Sequence, residues 1–321
     1  MMYQAIKNFH TQFAFEPVIA HGDTLRAATS FLVVGMGGSA LGANLFQAWD
    51  PSLDIIVYKD YGLPPIDLKK RTVIVSSYSG NTEETVEALT QCIGKKFNCV
   101  VVTSGGKLLE IAERQKLPYV RIPDTGIQPR SALGYNTRAL AKIFGNDRAA
   151  RELAACARTL SPAAHEPAGK KLAAMLKNRV PIIYTSRQNA AIGYNWKIKC
   201  NETAKIPAFT NVIPELNHNE MNGFDAKPAT KALSVTFHFL ILTDSEDMPQ
   251  IQRRFEVLAK LYEQRGLHYE TITFDGKTRF ERIFNSLILA DWFAYYSGEH
   301  YGVETTAVPM VEEFKRLIAN A

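Results

Sequence analysis

The chain is poor in the features that would mark a secreted, metal-bound, membrane or nucleic-acid-binding protein. It has four cysteines in 321 residues, Cys92, Cys99, Cys156 and Cys200, and no CxxC pair. Cysteines this sparse and scattered build neither a disulfide framework nor a zinc cage, and they suit a reducing cytoplasm. No apolar run approaches the ~18 residues that a membrane span needs. Residues 1–21 lack the basic start and long apolar core of a signal peptide, so a cytoplasmic protein is expected. Basic residues outnumber acidic ones by only 37 to 32, for a net charge of +5, and they cluster no further than short groups such as Lys69-Lys70-Arg71. That balance suits a small anionic substrate and is too mild and dispersed for a nucleic acid. No His, Asp or Glu cluster has metal-ligand spacing, and the expectation is a protein with neither metal nor organic cofactor.

What is present is an ordinary globular composition, 46% hydrophobic and 21% charged, in a chain long enough for two domains with separate cores. Short β-branched runs at 31–34, 54–58, 72–76, 99–103 and 119–122 read as strands. Amphipathic helical patterns fall at 39–47, 82–93, 107–114 and 137–143. This alternation predicts a parallel sheet with helices on both faces, because parallel strands need crossover connections. Near Gly145-Asn146-Asp147 the pattern gives way to Ala-rich helix at 151–160, a Ser161-Pro162 break and helix at 169–176. A boundary is therefore expected there, with domains at 1–148 and 149–321. The alternation then restarts: strand at 180–186, helix at 192–200, strand at 233–242, helix at 250–264, strand at 269–274 and a long helix at 279–296. The halves read as two versions of one doubly wound, flavodoxin-like fold.

Two strand ends in the first half carry turns of unusual composition. Ser77-Tyr78-Ser79-Gly80-Asn81-Thr82 follows the run Thr72-Val73-Ile74-Val75-Ser76, and Gly35-Met36-Gly37-Gly38-Ser39 follows Phe31-Leu32-Val33-Val34. Each opens a helix, where unpaired N–H groups and the helix dipole favour an anion, and hydroxyls add further donors. A phosphate is the expected guest, held by Gly37, Gly38, Ser39, Ser77, Ser79 and Thr82. The glycines fall short of a dinucleotide fingerprint, since those after Gly35 and Gly37 stand at 38 and 42 and not at 40. The corresponding turn of the second half, after 180–186, has no glycines, and no phosphate site is expected there.

These turns, together with Pro129-Arg130-Ser131-Ala132-Leu133-Gly134-Tyr135, Asn201-Glu202 and Glu215-Leu216-Asn217-His218-Asn219-Glu220, occur in the order found in one group of sugar isomerase (SIS) proteins. The chain resembles the bifunctional phosphoglucose/phosphomannose isomerases of bacteria and archaea over most of its length. The resemblance implies two SIS-type domains, an aldose–ketose isomerase, and ring opening followed by enediolate proton transfer without a metal. It implies glucose 6-phosphate, and mannose 6-phosphate as well, as the aldose partners of fructose 6-phosphate.

Such a reaction needs an acid/base pair and a cation for the developing oxyanion. Glu202 resembles the family's base, although a lone Glu near a helix end reads on its own as a solvated or capping residue. His218 lies in a loop dense with polar groups. By resemblance it opens the sugar ring and reaches the site from the neighbouring subunit of a homodimer, and otherwise it satisfies local carbonyls. Arg130 resembles the group that stabilises the enediolate, with a structural ion pair as the competing reading. Lys315 aligns with a lysine that assists at the ring oxygen, or is simply surface charge on an amphipathic helix. Two alternatives remain at this level: an isomerase of another phosphosugar, such as an amino-sugar phosphate, and a non-catalytic SIS module that senses a phosphosugar.

Overall fold

The computed structural model describes residues 1–319. Along the chain run α1 (Met2–Lys7), β1 (Ser30–Val34), α2 (Gly38–Trp49), β2 (Asp54–Tyr58), β3 (Thr72–Ser76), α3 (Glu83–Gly94), β4 (Cys99–Thr103), α4 (Gly106–Arg114), β5 (Tyr119–Arg121), α5 (Leu133–Phe144), α6 (Asp147–Thr159) and α7 (Pro162–Met175). There follow β6 (Val180–Ser186), α8 (Ala190–Lys199), β7 (Phe209–Ile213), the short α9 (Glu220–Gly223) and α10 (Lys231–Ser234), β8 (Phe237–Thr243), α11 (Pro249–Gln264), β9 (His268–Thr273), α12 (Arg279–Tyr301) and α13 (Pro309–Ala319). Among the described residues no helix is long and apolar enough to cross a membrane.

The chain forms two compact units. One comprises Lys7–Ser161 with Gly276–Ile283, the other Met1–Ile6 with Pro162–Asp275 and Phe284–Ala321. The crossing falls at the Ser161-Pro162 step, one helix beyond the change of sequence pattern near residue 148, because α6 packs with the first unit. Two short segments join units from which they are distant in sequence. Phe280 stacks on Trp49 with centroids 5.0 Å apart, and the Arg279 guanidinium donates twice to the Ala48 carbonyl, which secures 276–283 to the first unit. Tyr3 donates to Glu166 at 3.2 Å and meets Trp292 edge-on, which secures the first six residues to the second.

In the first unit five strands pair in the order β2-β1-β3-β4-β5, all parallel. The second has β7-β6-β8-β9, also all parallel, the same winding with one strand fewer. Both are α/β doubly wound sheets of the flavodoxin type, as the alternation predicted. β3 and β4 are buried at every residue, which is why they read as unbroken β-branched runs. Leu32, Val73, Val75, Val101 and Leu89 form part of the first core; Tyr184, Phe239, Ile241, Phe255 and Tyr262 form part of the second. The β5 edge is covered by an antiparallel bridge from Ala20 to Tyr119, which removes an open pairing edge.

Two elements of the second unit differ from expectation. Residues 233–236 do not begin a strand: Lys231–Ser234 is a helical turn with Leu233 well exposed, and β8 starts at Phe237, one residue before continuous burial begins at His238. β7 had no counterpart in the sequence reading, because a five-residue edge strand containing Thr210 and Asn211 shows no apolar run and is specified by pairing with β6.

Candidate active site

The strand order of the first unit brings the two turns together. β1 and β3 are neighbours, and the connections leaving their carboxyl ends diverge, so a crevice opens between the start of α2 and the start of α3. Gly37 caps α2 with φ of +49°, and Gly38 begins the helix against the chain at Pro129 and Arg130, where an added Cβ would sit 2.6 Å from the Pro129 carbonyl oxygen. This contact places Arg130 beside the first turn. Arg130 lies in a tight helical turn, Pro129–Ser131, and is 3% exposed.

Hydrogen bonds join the two turns. The Tyr78 backbone N–H donates to Ser39 Oγ at 2.9 Å, and Ser76 Oγ donates to the Ser39 carbonyl at 3.1 Å. Asn136 in turn donates to Ser76 Oγ, tying α5 to the same point. Within the second turn the Ser77 and Thr82 hydroxyls share a hydrogen bond of 2.8 Å, and the Gly80 N–H donates to Ser77 Oγ. Ser79, which is exposed, accepts from the Asn81 N–H through its hydroxyl oxygen and retains its own O–H as a donor. Thr82 caps α3 with Glu83 and Glu84 following it.

A third strand end braces the second turn, and sequence reasoning passed over it. Ser104 donates to the Tyr78 carbonyl from both N–H and Oγ, at 3.0 and 2.7 Å, while the Lys107 N–H donates to Asn81 Oδ1. Gly80, at φ of +69°, lies so close to this loop that a Cβ would fall 1.8 Å from the Gly105 carbonyl oxygen. The available signal was Thr103-Ser104-Gly105-Gly106, a hydroxyl-and-glycine turn closing a strand as the other two do.

The remaining candidates belong to the second unit. α8 ends at Lys199 and the backbone widens into a π-helical turn, Cys200–Ala204, that carries Glu202 half-buried. Turns of this kind are often found at functional sites. Asn201 donates to the Ile206 carbonyl at 2.9 Å, Lys205 turns left-handed with φ of +58°, and its Nζ donates to the Glu202 carbonyl at 2.5 Å. Burial pushes the neighbouring Cys200 thiol up to about 12. His218 ends a tight turn, Glu215–His218, anchored by buried Leu216, and its own side chain is exposed. Glu220, two residues on, accepts from the Tyr184 hydroxyl at 2.7 Å and from Asn211, which fixes the loop to the sheet. Lys315 is exposed on α13 and pairs with Glu312 at 3.2 Å.

Glu202 and His218 lie towards opposite ends of the second sheet. α8 runs back from the carboxyl end of β6, so Glu202 falls near the start of β7, whereas His218 follows the end of β7. Five residues of strand separate those ends by ~16 Å. Among the described residues no three His, Cys, Asp or Glu side chains are grouped so as to hold a metal ion.

Residues 165–318 match the family described as bacterial phospho-glucose isomerase C-terminal SIS domain. The chain aligns with the crystal structure of a hypothetical protein from Thermus thermophilus at a TM-score of 0.72 and 17% identity, over 99% of this chain and 87% of that one. Fold and domain match together define a two-domain SIS protein. The bifunctional phosphoglucose/phosphomannose isomerase of Caldicellulosiruptor bescii is 32% identical over 90% of this chain and 89% of its own. A D-glucosamine-6-phosphate 4-epimerase of Sulfolobus acidocaldarius is 30% identical over 66% of this chain and 69% of its own. This chain belongs to the bifunctional phosphoglucose/phosphomannose isomerase family.

Proposed function

We propose that the protein interconverts glucose 6-phosphate and mannose 6-phosphate with fructose 6-phosphate, with no metal in the chemical step. The observation that carries the reading is the joined pair of turns at the β1/β3 crevice, linked by Tyr78 and Ser39, within a chain of this family. The 6-phosphate sits against the start of α2 and α3, with hydrogen bonds from Ser39, Ser79 and Thr82 and backbone N–H groups at Gly37 and Gly38. The hydrogen bond shared by the Ser77 and Thr82 hydroxyls holds these two side chains together at the start of α3.

His218 opens the ring and Lys315 assists at the ring oxygen. Glu202 takes the C2 proton of the open-chain aldose, leaving an enediolate that the positive charge of Arg130 stabilises. It returns that proton to C1 while a proton passes from O2 to O1, which gives the ketose. The separation of Glu202 and His218 along β7 favours a homodimer in which His218 of one copy completes the site of the other. Four buried cysteines suit a cytoplasmic enzyme. Formation of fructose 6-phosphate, assayed by coupling from each aldose phosphate in turn, tests the reading; no product from either overturns it.

A second reading is supported by the epimerase relative: a different phosphosugar held in the same cradle. Glucosamine 6-phosphate incubated with the protein and followed by NMR distinguishes it, since epimerisation changes the ring couplings and isomerisation of the neutral sugar phosphates does not require that substrate.

A further inference from the structure

Lys199 and Asp291 form an ion pair at 2.5 Å with side chains only 3% and 8% exposed. A buried pair of this kind carries a desolvation cost that its attraction barely offsets, so apolar residues of similar volume commonly do as well for stability. Its position suggests another use. Lys199 is the last residue of α8 before the backbone widens into the turn bearing Glu202. Three residues earlier, Trp196 donates from its indole to Ser286 Oγ at 3.0 Å, so the same face of α8 is attached to α12 twice. Beyond the pair, Gly298 of α12 lies under the turn, where an added Cβ would be 3.2 Å from the Thr203 carbonyl oxygen. The segment from Trp196 to Thr203 is thus registered against Ser286, Asp291 and Gly298 in succession along one helix.

We propose that the Lys199–Asp291 pair is a positioning device for Glu202: it pins the end of α8 on α12 and sets where the widened turn presents its carboxylate. This rests on Glu202 being the base. The π-helical turn exchanges the i→i+4 ladder of α8 for the wider bond from the Lys205 N–H to the Cys200 carbonyl, and the Lys199–Asp291 pair is a fixed point immediately before that change. A displacement of ~1 Å of a reacting group can cost ~10²-fold in rate while substrate affinity, set at the phosphate, stays put.

The test uses the full-length protein with Glu202→Gln, Asp291→Asn and the double variant Lys199→Met/Asp291→Leu. Asp291→Asn is expected to lower kcat by ~10- to 100-fold with KM and inhibition by inorganic phosphate changed less than ~3-fold. The double variant removes both charges and is expected to melt at or above the parental temperature while kcat remains at least ~10-fold down. It also decides the matter if Asp291→Asn fails to fold. Parental kcat with a parental pH profile in the double variant overturns the positioning role and leaves a merely structural pair. Glu202→Gln reports separately: turnover within a few-fold of the parent removes the base assignment itself, whereas an inactive Gln variant beside a fully active double variant removes only the inference about the pair.

Discussion

The Tyr78 backbone N–H points into Ser39 Oγ at 2.9 Å, so one hydrogen bond spans the crevice between turns 39 residues apart. Ser39 is almost fully buried and its hydroxyl can accept from Tyr78 while donating to a phosphate oxygen. Ser39→Ala removes both bonds and leaves the Tyr78 N–H without its acceptor. The expected result is a rise of ~10-fold or more in KM and in the inhibition constant of inorganic phosphate, matching ~1.5–3 kcal/mol for a hydrogen bond to a charged group. Unchanged constants would place the phosphate elsewhere.

Gly80→Ala is expected to destabilise the protein by ~2 kcal/mol or more in urea unfolding. A side chain is strained at φ of +69°, and the Gly105 carbonyl occupies the space a Cβ would take. Gly94, near the end of α3 with nothing within 4 Å of its Cβ position, is the control and should tolerate Ala within ~1 kcal/mol.

Isomerase activity should persist undiminished after dialysis against excess chelator if, as proposed, Glu202, His218 and Arg130 together supply the acid, the base and the cation that the proton transfer needs. Activity lost to the chelator and restored by a divalent metal would contradict this.

If His218 completes the site of a second copy, as proposed, mixing inactive Glu202→Gln protein with inactive His218→Ala protein should regenerate activity, as a hybrid dimer gathers both lesions into one site and leaves the other intact. The enzyme assay after subunit exchange reads this directly. Hybrid dimers shown to form yet inactive would mean that each chain builds its own site.

The second unit holds a pH-sensitive point away from Glu202. His238 is 5% exposed and ring-stacked with His268 at 6.0 Å, and its pKa is lowered to about 4 by burial, with further contributions from His268 and Arg179. Its folded value lies below the unfolded one, so the unfolded chain binds the extra proton between about pH 6.5 and about 4. The stabilisation is complete above that window and is lost as pH falls through it. His238→Gln should flatten the dependence of unfolding free energy on pH across this range; an unchanged slope would assign the dependence to other groups.

Much of the first unit was legible because its central strands are buried on both faces. β3 and β4 therefore appear in the sequence as the same residues that form them in the structure, and the glycine and hydroxyl turns announce where they end. Legibility failed at β7, an edge strand whose Thr210 and Asn211 carry no apolar signature, and at Leu233, which reads as part of a strand yet lies exposed in a helical turn. The widening of α8 at Cys200 was equally invisible, because it depends on what the helix end packs against.

The amino-acid sequence by itself determined most of the element types and the parallel winding, and it marked two turns as candidate anion sites, since local propensity, burial period and hydroxyl and glycine content are properties of neighbouring residues. Only the tertiary structure decided that Ser39 meets Tyr78, that Ser104 braces the turn at Tyr78, that Lys199 meets Asp291, and that β7 separates Glu202 from His218. Those relations depend on strand order and helix register, which are set by the simultaneous packing of segments far apart in the chain and are encoded in no single stretch of it.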